Sequence, residues 1–231
     1  MDIVYVLGRG SQWNNEEIRL SLRSICKFTK HDNVYIIGEK PYFAQNIIHV
    51  PVKDFNKKEY SIYNKIRVAC CIPELSEEFL FMNDDHFFVK KVDIDNYPFY
   101  HQDDLNVEIQ KRLRSPYRTE IEKTYAYLKD KVKAPKYYDI HTPIRYNKHD
   151  FPEIMINTPI AEQEMVIKSL YANMKGVQGT FRKDIKLLAA DFSKVRGVDC
   201  FSVGDRCNFR ALKRYMDEIV GPEPCRYEKI A

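Results

Sequence analysis

Asn83, Asp84 and Asp85 set an amide and two carboxylates on consecutive positions, after the apolar run Phe79–Met82 and before His86-Phe87-Phe88. A short apolar run bounded by polar residues predicts a buried strand. Carboxylates at its C-terminal end fall where open α/β sheets hold ligands, in the crevice beyond the strand ends. Mg²⁺ and Mn²⁺ prefer such hard oxygen donors and leave coordination positions to phosphate oxygens. The pair therefore suits a cation that grips a nucleotide diphosphate. Asn-Asp also favours turns for its own reasons, so a plain turn after a core strand fits the same residues. Asp205, in Gly204-Asp205-Arg206 after the apolar Cys200–Val203, is a candidate third oxygen ligand or a simple turn aspartate.

Group transfer also needs a base for the acceptor hydroxyl and positive charge near the phosphates. Of the six histidines, His141 lies in the most constrained local sequence, between Asp139 and Pro143. His86 adjoins the carboxylates and either faces them or packs under the phenylalanines. Arg19, Arg23 and Arg145 are candidate phosphate contacts, because a guanidinium fork matches phosphate oxygens. A solvated helix face is the plain alternative for these arginines. Gly8-Arg9-Gly10-Ser11 forms a glycine turn before a helix capped by Asn14 or Asn15, with Glu16 and Glu17 in its first turn. Backbone N–H groups at such a helix start attract anions, although the spacing is neither a Walker loop nor G-x-G-x-x-G.

The elements that must position these residues follow from periodicity. Asp2–Leu7, Asn33–Ile37 and Asn46–Val50 read as strands, and the helix before the second runs to about Phe28 with Ile18, Leu22 and Ile25 on its apolar face. Strand–helix–strand at this spacing predicts a right-handed parallel unit. Ser61–Ile72 reads as a helix ended by Pro73, and Phe87–Val92 as a strand leaving the site. Residues 93–138 read as a helical insertion or flap. Helices are expected at about Lys148–Met155, Ala161–Asn173 and Asn208–Val220, and a strand at Cys200–Val203. Ile185–Asp191 is ambiguous between strand and helix.

A chain of 231 residues, 44% hydrophobic and 30% charged, can bury one sizeable core and is neither disordered nor repetitive. The net charge of +4 is uneven. Lys111, Arg112, Arg114, Arg118, Lys123, Lys129, Lys131, Lys133 and Lys136 face only Glu120, Glu122 and Asp130, so residues 111–136 alone carry +6. Such a face can steer an anionic partner or simply be solvated. The six cysteines include no C-x-x-C pair, which fits neither a zinc ribbon nor a dense disulfide framework. With no signal-like start and no apolar run of membrane-span length, a cytoplasmic protein with reduced thiols is the expectation.

Taken together, these segments resemble the Stealth family, the capsular polysaccharide phosphotransferases and their relatives, which include N-acetylglucosamine-1-phosphotransferase. The resemblance rests on ordered blocks: DIVYVLGRGS at Asp2–Ser11, NEEIRLSLRSI at Asn15–Ile25, LSEEFLFMNDDHFF at Leu75–Phe88, His141-Thr142-Pro143, and PEPCRYE at Pro222–Glu228. The departures are Arg9, where the family pattern has an aspartate, and Gly204 before Asp205, where it tends to an asparagine. The resemblance implies an α/β fold: a single glycosyltransferase-A-like domain with a mixed, mostly parallel central sheet. It implies a nucleotide-sugar donor, expected to be UDP-linked, a divalent cation (Mg²⁺ or Mn²⁺) and transfer of sugar-1-phosphate. By matching positions, it assigns Asp84, Asp85 and, second in rank, Asp205 to the metal. Asp85, His141 and Arg23 take catalytic roles. Gly8, Arg9, Gly10, Asn15, Arg19, Asn83 and Arg145 take the donor.

Three functions compete on these residues. One is metal-dependent transfer of a sugar or sugar-1-phosphate to a hydroxyl of a glycan. The second is glycosyl transfer to modified bases of DNA, with the basic 111–136 stretch holding the phosphates. The third is a non-catalytic sugar- or nucleotide-binding module, for which Arg9 and Gly204 are the motive.

Overall fold

The computed structural model describes residues 1–229 apart from Arg114 and Pro116. Strand β1 (Asp2–Leu7) lies at the centre of a five-stranded sheet with β2 (Val34–Gly38) and β3 (Ile48–Val50) on one side. On its other side come β4 (Glu78–Met82) and β7 (Ile144–Asn147), giving the order β3-β2-β1-β4-β7. The β1–β2, β2–β3 and β1–β4 pairings are parallel and β4–β7 is antiparallel. The sheet is thus mixed and mostly parallel. The residues from β1 to β3 build outward in one direction, and the chain then crosses back to lay β4 on the opposite side of β1. That reversal opens a crevice at the C-terminal ends of β1 and β4, the switch point at which open α/β sheets bind ligands.

Helix α1 (Glu16–Phe28) packs on one face through Ile18, Leu22 and Ile25, all fully buried, each worth roughly 1.5–3 kcal/mol of apolar transfer. Its start differs from the expected asparagine cap. Asn15 takes a left-handed conformation at φ 63° and caps nothing with its side chain; instead Ser11 Oγ accepts the Asn15 N–H at 2.8 Å. Helix α2 (Lys58–Cys70) begins earlier than its apolar face suggests and covers the opposite face of the sheet through Ile66 and Ala69. Gly38 ends β2 at φ 120°, and a Cβ there would run into the Leu7 carbonyl oxygen, so glycine is what lets β2 pass the end of β1.

A second sheet carries the other wall of the crevice. Strand β5 (His86–Phe88) is far shorter than the expected Phe87–Val92 strand. It pairs antiparallel with β10 (Cys200–Val203), which pairs in parallel with β9 (Lys186–Leu187). The ambiguous 185–191 segment therefore supplies a two-residue strand. Helix α7 (Phe209–Val220) starts from Asn208, whose Oδ1 accepts the Ala211 N–H at 3.1 Å, and buries Leu212 and Met216 against this sheet. A short parallel pair, β6 (Tyr100–His101) with β8 (Thr180–Phe181), stands apart from both.

Residues 93–138 do contain helices, α3 (Leu105–Lys111) and α4 (Arg118–Leu128). They do not stand off as a flap. Leu105, Ile109, Ile121, Leu128 and Tyr137 share one apolar core with Phe79 and Phe81 of β4. Part of the basic excess is neutralised locally, since Lys111 pairs with Asp103 and Glu108, Arg112 with Glu108, Arg118 with Glu122 and Lys136 with Asp104. Arg114 lies outside the described residues. Helices α5 (Asp150–Met155) and α6 (Ile167–Lys175) complete the core on this face. No helix among the described residues is long and apolar enough to cross a membrane.

Candidate active site

One cavity of about 770 Å³ sits at the switch point. It is lined by Gly8, Arg9 and Gly10 from the β1 turn, Asn83, Asp84 and Asp85 from the β4 end, His141, and Asp205 after β10. Residues far apart in sequence therefore converge because β1 and β4 are adjacent and β10 folds over their ends.

His86 fixes the acidic turn from below. Its ring is fully buried, and Nδ1 accepts the Asn83 N–H at 3.2 Å. Burial, reinforced by Lys168 nearby, holds the imidazole well below its usual pKa, so it stays neutral. It is a structural support under the carboxylates and does not face the cavity. Asp85 is held on one side only: Oδ2 accepts the Ser202 hydroxyl at 2.7 Å, while Oδ1 is buried with no partner among the described residues. Glu17, in the first turn of α1, also lines the cavity and has Oε2 buried without a partner among the described residues. Burial pushes its carboxyl up, and Asp85 and Glu16 add to the effect. Burial, then Asp85 and Glu17, push the Asp84 carboxyl up to about 7. Asp84 and Glu17 thus resist ionisation, and the unpaired oxygens of Asp85 and Glu17 leave this end of the cavity short of positive charge.

His141 is positioned with care. Its backbone N–H donates to Asp184 Oδ1 at 2.9 Å, and its Nδ1 lies 2.7 Å from Asp184 Oδ2. The buried Lys168 donates to the carbonyls of Ile140 at 3.0 Å and Thr142 at 2.7 Å, which pins the loop on both sides of the histidine. Asp139 ties the same loop to the start of α6 by accepting the Lys168 and Ser169 N–H groups. Lys186 Nζ lies 3.2 Å from His141 Nε2. An ammonium only donates, so a neutral ring accepts at Nε2 and carries its proton on Nδ1, toward Asp184. Burial opposes ionisation of Asp184, but the hydrogen bonds from His141 outweigh it and hold that carboxyl below its ordinary value.

Several expected residues are not at the cavity. Arg23 is buried, with Nε 2.7 Å from Glu228 Oε1 and Nη2 2.8 Å from Glu228 Oε2. Arg19 Nη1 donates to the same Glu228 at 3.0 Å and its Nη2 to Glu16 Oε1 at 2.9 Å. These two arginines bind the C-terminal segment to α1, because a fully buried carboxylate needs its charge matched. Arg145 points off the β7 edge, where it donates to Glu78 at 3.1 Å and to the Asp95 carbonyl at 2.7 Å. Asn15 does not line the cavity either. Arg9 does, but its Nε pairs with Glu39 at 2.7 Å, and its backbone N–H is taken by Asp54 Oδ2 at 3.2 Å. A carboxylate thus already sits on the glycine turn, where a phosphate was expected; Asp54 is itself anchored by Lys65 and Ser61. Asp205 lines the cavity and is exposed, yet no three His, Cys, Asp or Glu side chains among the described residues converge to hold an ion by themselves. The expected Asp84–Asp85–Asp205 ligand set is therefore not assembled.

Sequence reasoning missed Asp184, Lys186, Lys168 and Ser202. Only β9, a strand of two residues, brings Lys186 alongside Ser202, and no periodicity marks so short an element.

No family model and no curated protein matches the sequence. Among solved structures, the fold is similar to the galactosyltransferase LgtC in complex with donor and acceptor sugar analogues. That likeness has a TM-score of 0.52 and 11% identity, over 100% of this chain and 98% of that one. The fold is glycosyltransferase-A-like. An active-site mutant of LgtC is also similar, with a TM-score of 0.48 and 12% identity over 97% of this chain and 85% of that one.

Proposed function

We propose that this chain transfers a sugar or sugar-1-phosphate from a nucleotide-sugar donor to a hydroxyl of a glycan acceptor. The observation that carries this reading is the convergence of Asp84, Asp85 and His141, the last backed by Asp184, on one cavity at the sheet's switch point. The glycosyltransferase-A-like fold supports it. The unpaired Asp85 Oδ1, next to Asp84 on the same turn, fits a divalent cation that takes most of its ligands from the donor and water. Asp85 and Asp84 would hold Mg²⁺ or Mn²⁺, which when bound supplies charge to the diphosphate.

The chain's own groups then have defined tasks. Asp184 orients His141 and stabilises its protonated form. His141 Nε2 takes the proton of the acceptor hydroxyl. The acceptor oxygen bonds to the donor's electrophilic atom, and the departing phosphate leaves with the electron pair. Attack at phosphorus, which the motif resemblance to the Stealth family favours, releases a nucleoside monophosphate. Attack at the anomeric carbon releases a diphosphate.

The test is a screen of nucleotide sugars with Mg²⁺ or Mn²⁺ and hydroxyl acceptors, with products identified by mass. Nucleotide release by the wild type, lost in Asp85→Asn, is expected. No release from any donor refutes the reading.

A further inference from the structure

Lys186 stands between the two halves of the site. Its Nζ lies 3.7 Å from Asp85 Oδ2 and 3.2 Å from His141 Nε2. Of the other cations of the cavity wall, Lys65 holds Asp54 and the Leu7 carbonyl, Lys168 holds two carbonyls, Arg9 holds Glu39 and Arg112 holds Glu108, while Lys58 is exposed at the start of α2. Among the described residues Lys186 has only a loose ion pair and a histidine lone pair, and its side chain is 32% exposed. Its position is nevertheless built. Lys186 pairs with Ser202 across β9 and β10, so both side chains reach the same Asp85 oxygen. Its stem crosses Gly204: a Cβ at that position would meet Lys186 Cε at 3.4 Å and Leu188 Cδ2 at 2.9 Å.

In the free protein this ammonium occupies the Nε2 lone pair that a base must offer. An anionic phosphate attracts an ammonium more strongly than a neutral imidazole does. We propose, on the transferase reading above, that Lys186 is a catalytic residue that moves from His141 onto the donor's departing phosphate oxygen. Donor binding then does two things. It sets a positive charge where charge develops, and it frees Nε2 for the acceptor hydroxyl. In the step itself the acceptor's proton passes to Nε2, the acceptor oxygen bonds to phosphorus or to the anomeric carbon, and the bond to the departing phosphate oxygen breaks. The electron pair stays on that oxygen, facing Lys186.

The experiment compares wild type, Lys186→Met, Lys186→Arg and Lys186→Ala. Its donor is whichever of UDP-N-acetylglucosamine, UDP-glucose, UDP-galactose and GDP-mannose the wild type turns over fastest. Lys186→Met is expected to lower kcat by about 10²–10³-fold, the cost of removing one preorganised charge donor, while the calorimetric donor Kd changes far less. Lys186→Arg should retain part of the rate. Added ethylamine should restore turnover in Lys186→Ala in proportion to its concentration, which a purely structural lysine would not allow. Wild-type turnover with Lys186→Met within about threefold of it, or an Ala variant deaf to amines, overturns this role alone. Absence of turnover by the wild type with all four donors removes the transferase reading and this role together.

Discussion

Removing the Glu228 carboxylate should lower the protein's stability and not its chemistry. Glu228 is fully buried and accepts two bonds from Arg23, one from Arg19 and one from the Cys225 N–H. Burial works against its ionisation, but Arg23, the Cys225 N–H and Arg19 overcome it, so the carboxyl stays below its usual range. Glu228→Ala takes the buried Arg23 guanidinium's bidentate carboxylate away and leaves Arg19 with Glu16, and breaking a buried pair in this way costs about 3–5 kcal/mol. In a chain of this size each kcal/mol moves Tm by roughly 2–4 °C, so a fall of roughly 10 °C is expected. Glu228→Gln, which keeps the shape without the charge, should fall by less. Arg23→Met should lose a comparable amount, and combining it with Glu228→Gln should cost clearly less than the sum, because the two changes remove one interaction. Calorimetric melting and urea titration measure all three. The pair also makes the protein acid-sensitive: its contribution is intact above the ordinary glutamate pKa of about 4.3 and is lost as pH falls through the lower folded value. If Arg23→Met kept the wild-type Tm while nucleotide turnover collapsed, the structural assignment would be wrong and Arg23 would return to the catalytic machinery.

Asp184→Asn should leave donor binding near wild type and lower kcat by about 10²-fold or more, because His141 loses the carboxylate that fixes its tautomer; steady-state rates with calorimetric donor binding read both. Glu59, in the cavity wall, is pushed up to about 8 by burial and then by Asp139. The folded state therefore keeps a proton that the unfolded chain releases between about pH 4 and pH 8, and stability falls as pH rises through that window by up to about 1.4 kcal/mol per unit. Glu59→Gln should flatten that slope in a series of melts across pH. Duplex DNA should bind weakly, with a log–log salt slope no steeper than about −4.5, because four of the nine basic residues in 111–136 are spent on carboxylates of the chain itself and at most five are left; fluorescence anisotropy across salt concentrations checks this.

Strands β1, β2, β3 and β4 of the central sheet were legible as short apolar runs with polar ends, whereas β7, Ile144-Arg145-Tyr146-Asn147, alternates apolar and polar residues over too few positions and was not read as a strand. The acidic turn after β4 was legible for the same reason: once the strand is fixed, the carboxylates must emerge at its C-terminal edge. The arginines were misread because sequence gives residue type and spacing along α1 but not the partner. Arg19 and Arg23 do lie on one side of the helix, yet the anion they meet is Glu228, more than 200 residues away in sequence. A buried carboxylate and a phosphate make the same demand on a guanidinium, and only packing decides which arrives. Lys186 was invisible because β9 is too short to carry a period, and Asp184 because it lies in the loop just before that strand. The residue types that could do chemistry were thus written in the chain, whereas the crossing of the chain back over β1 and the laying of β9 beside β10 determined which of them meet.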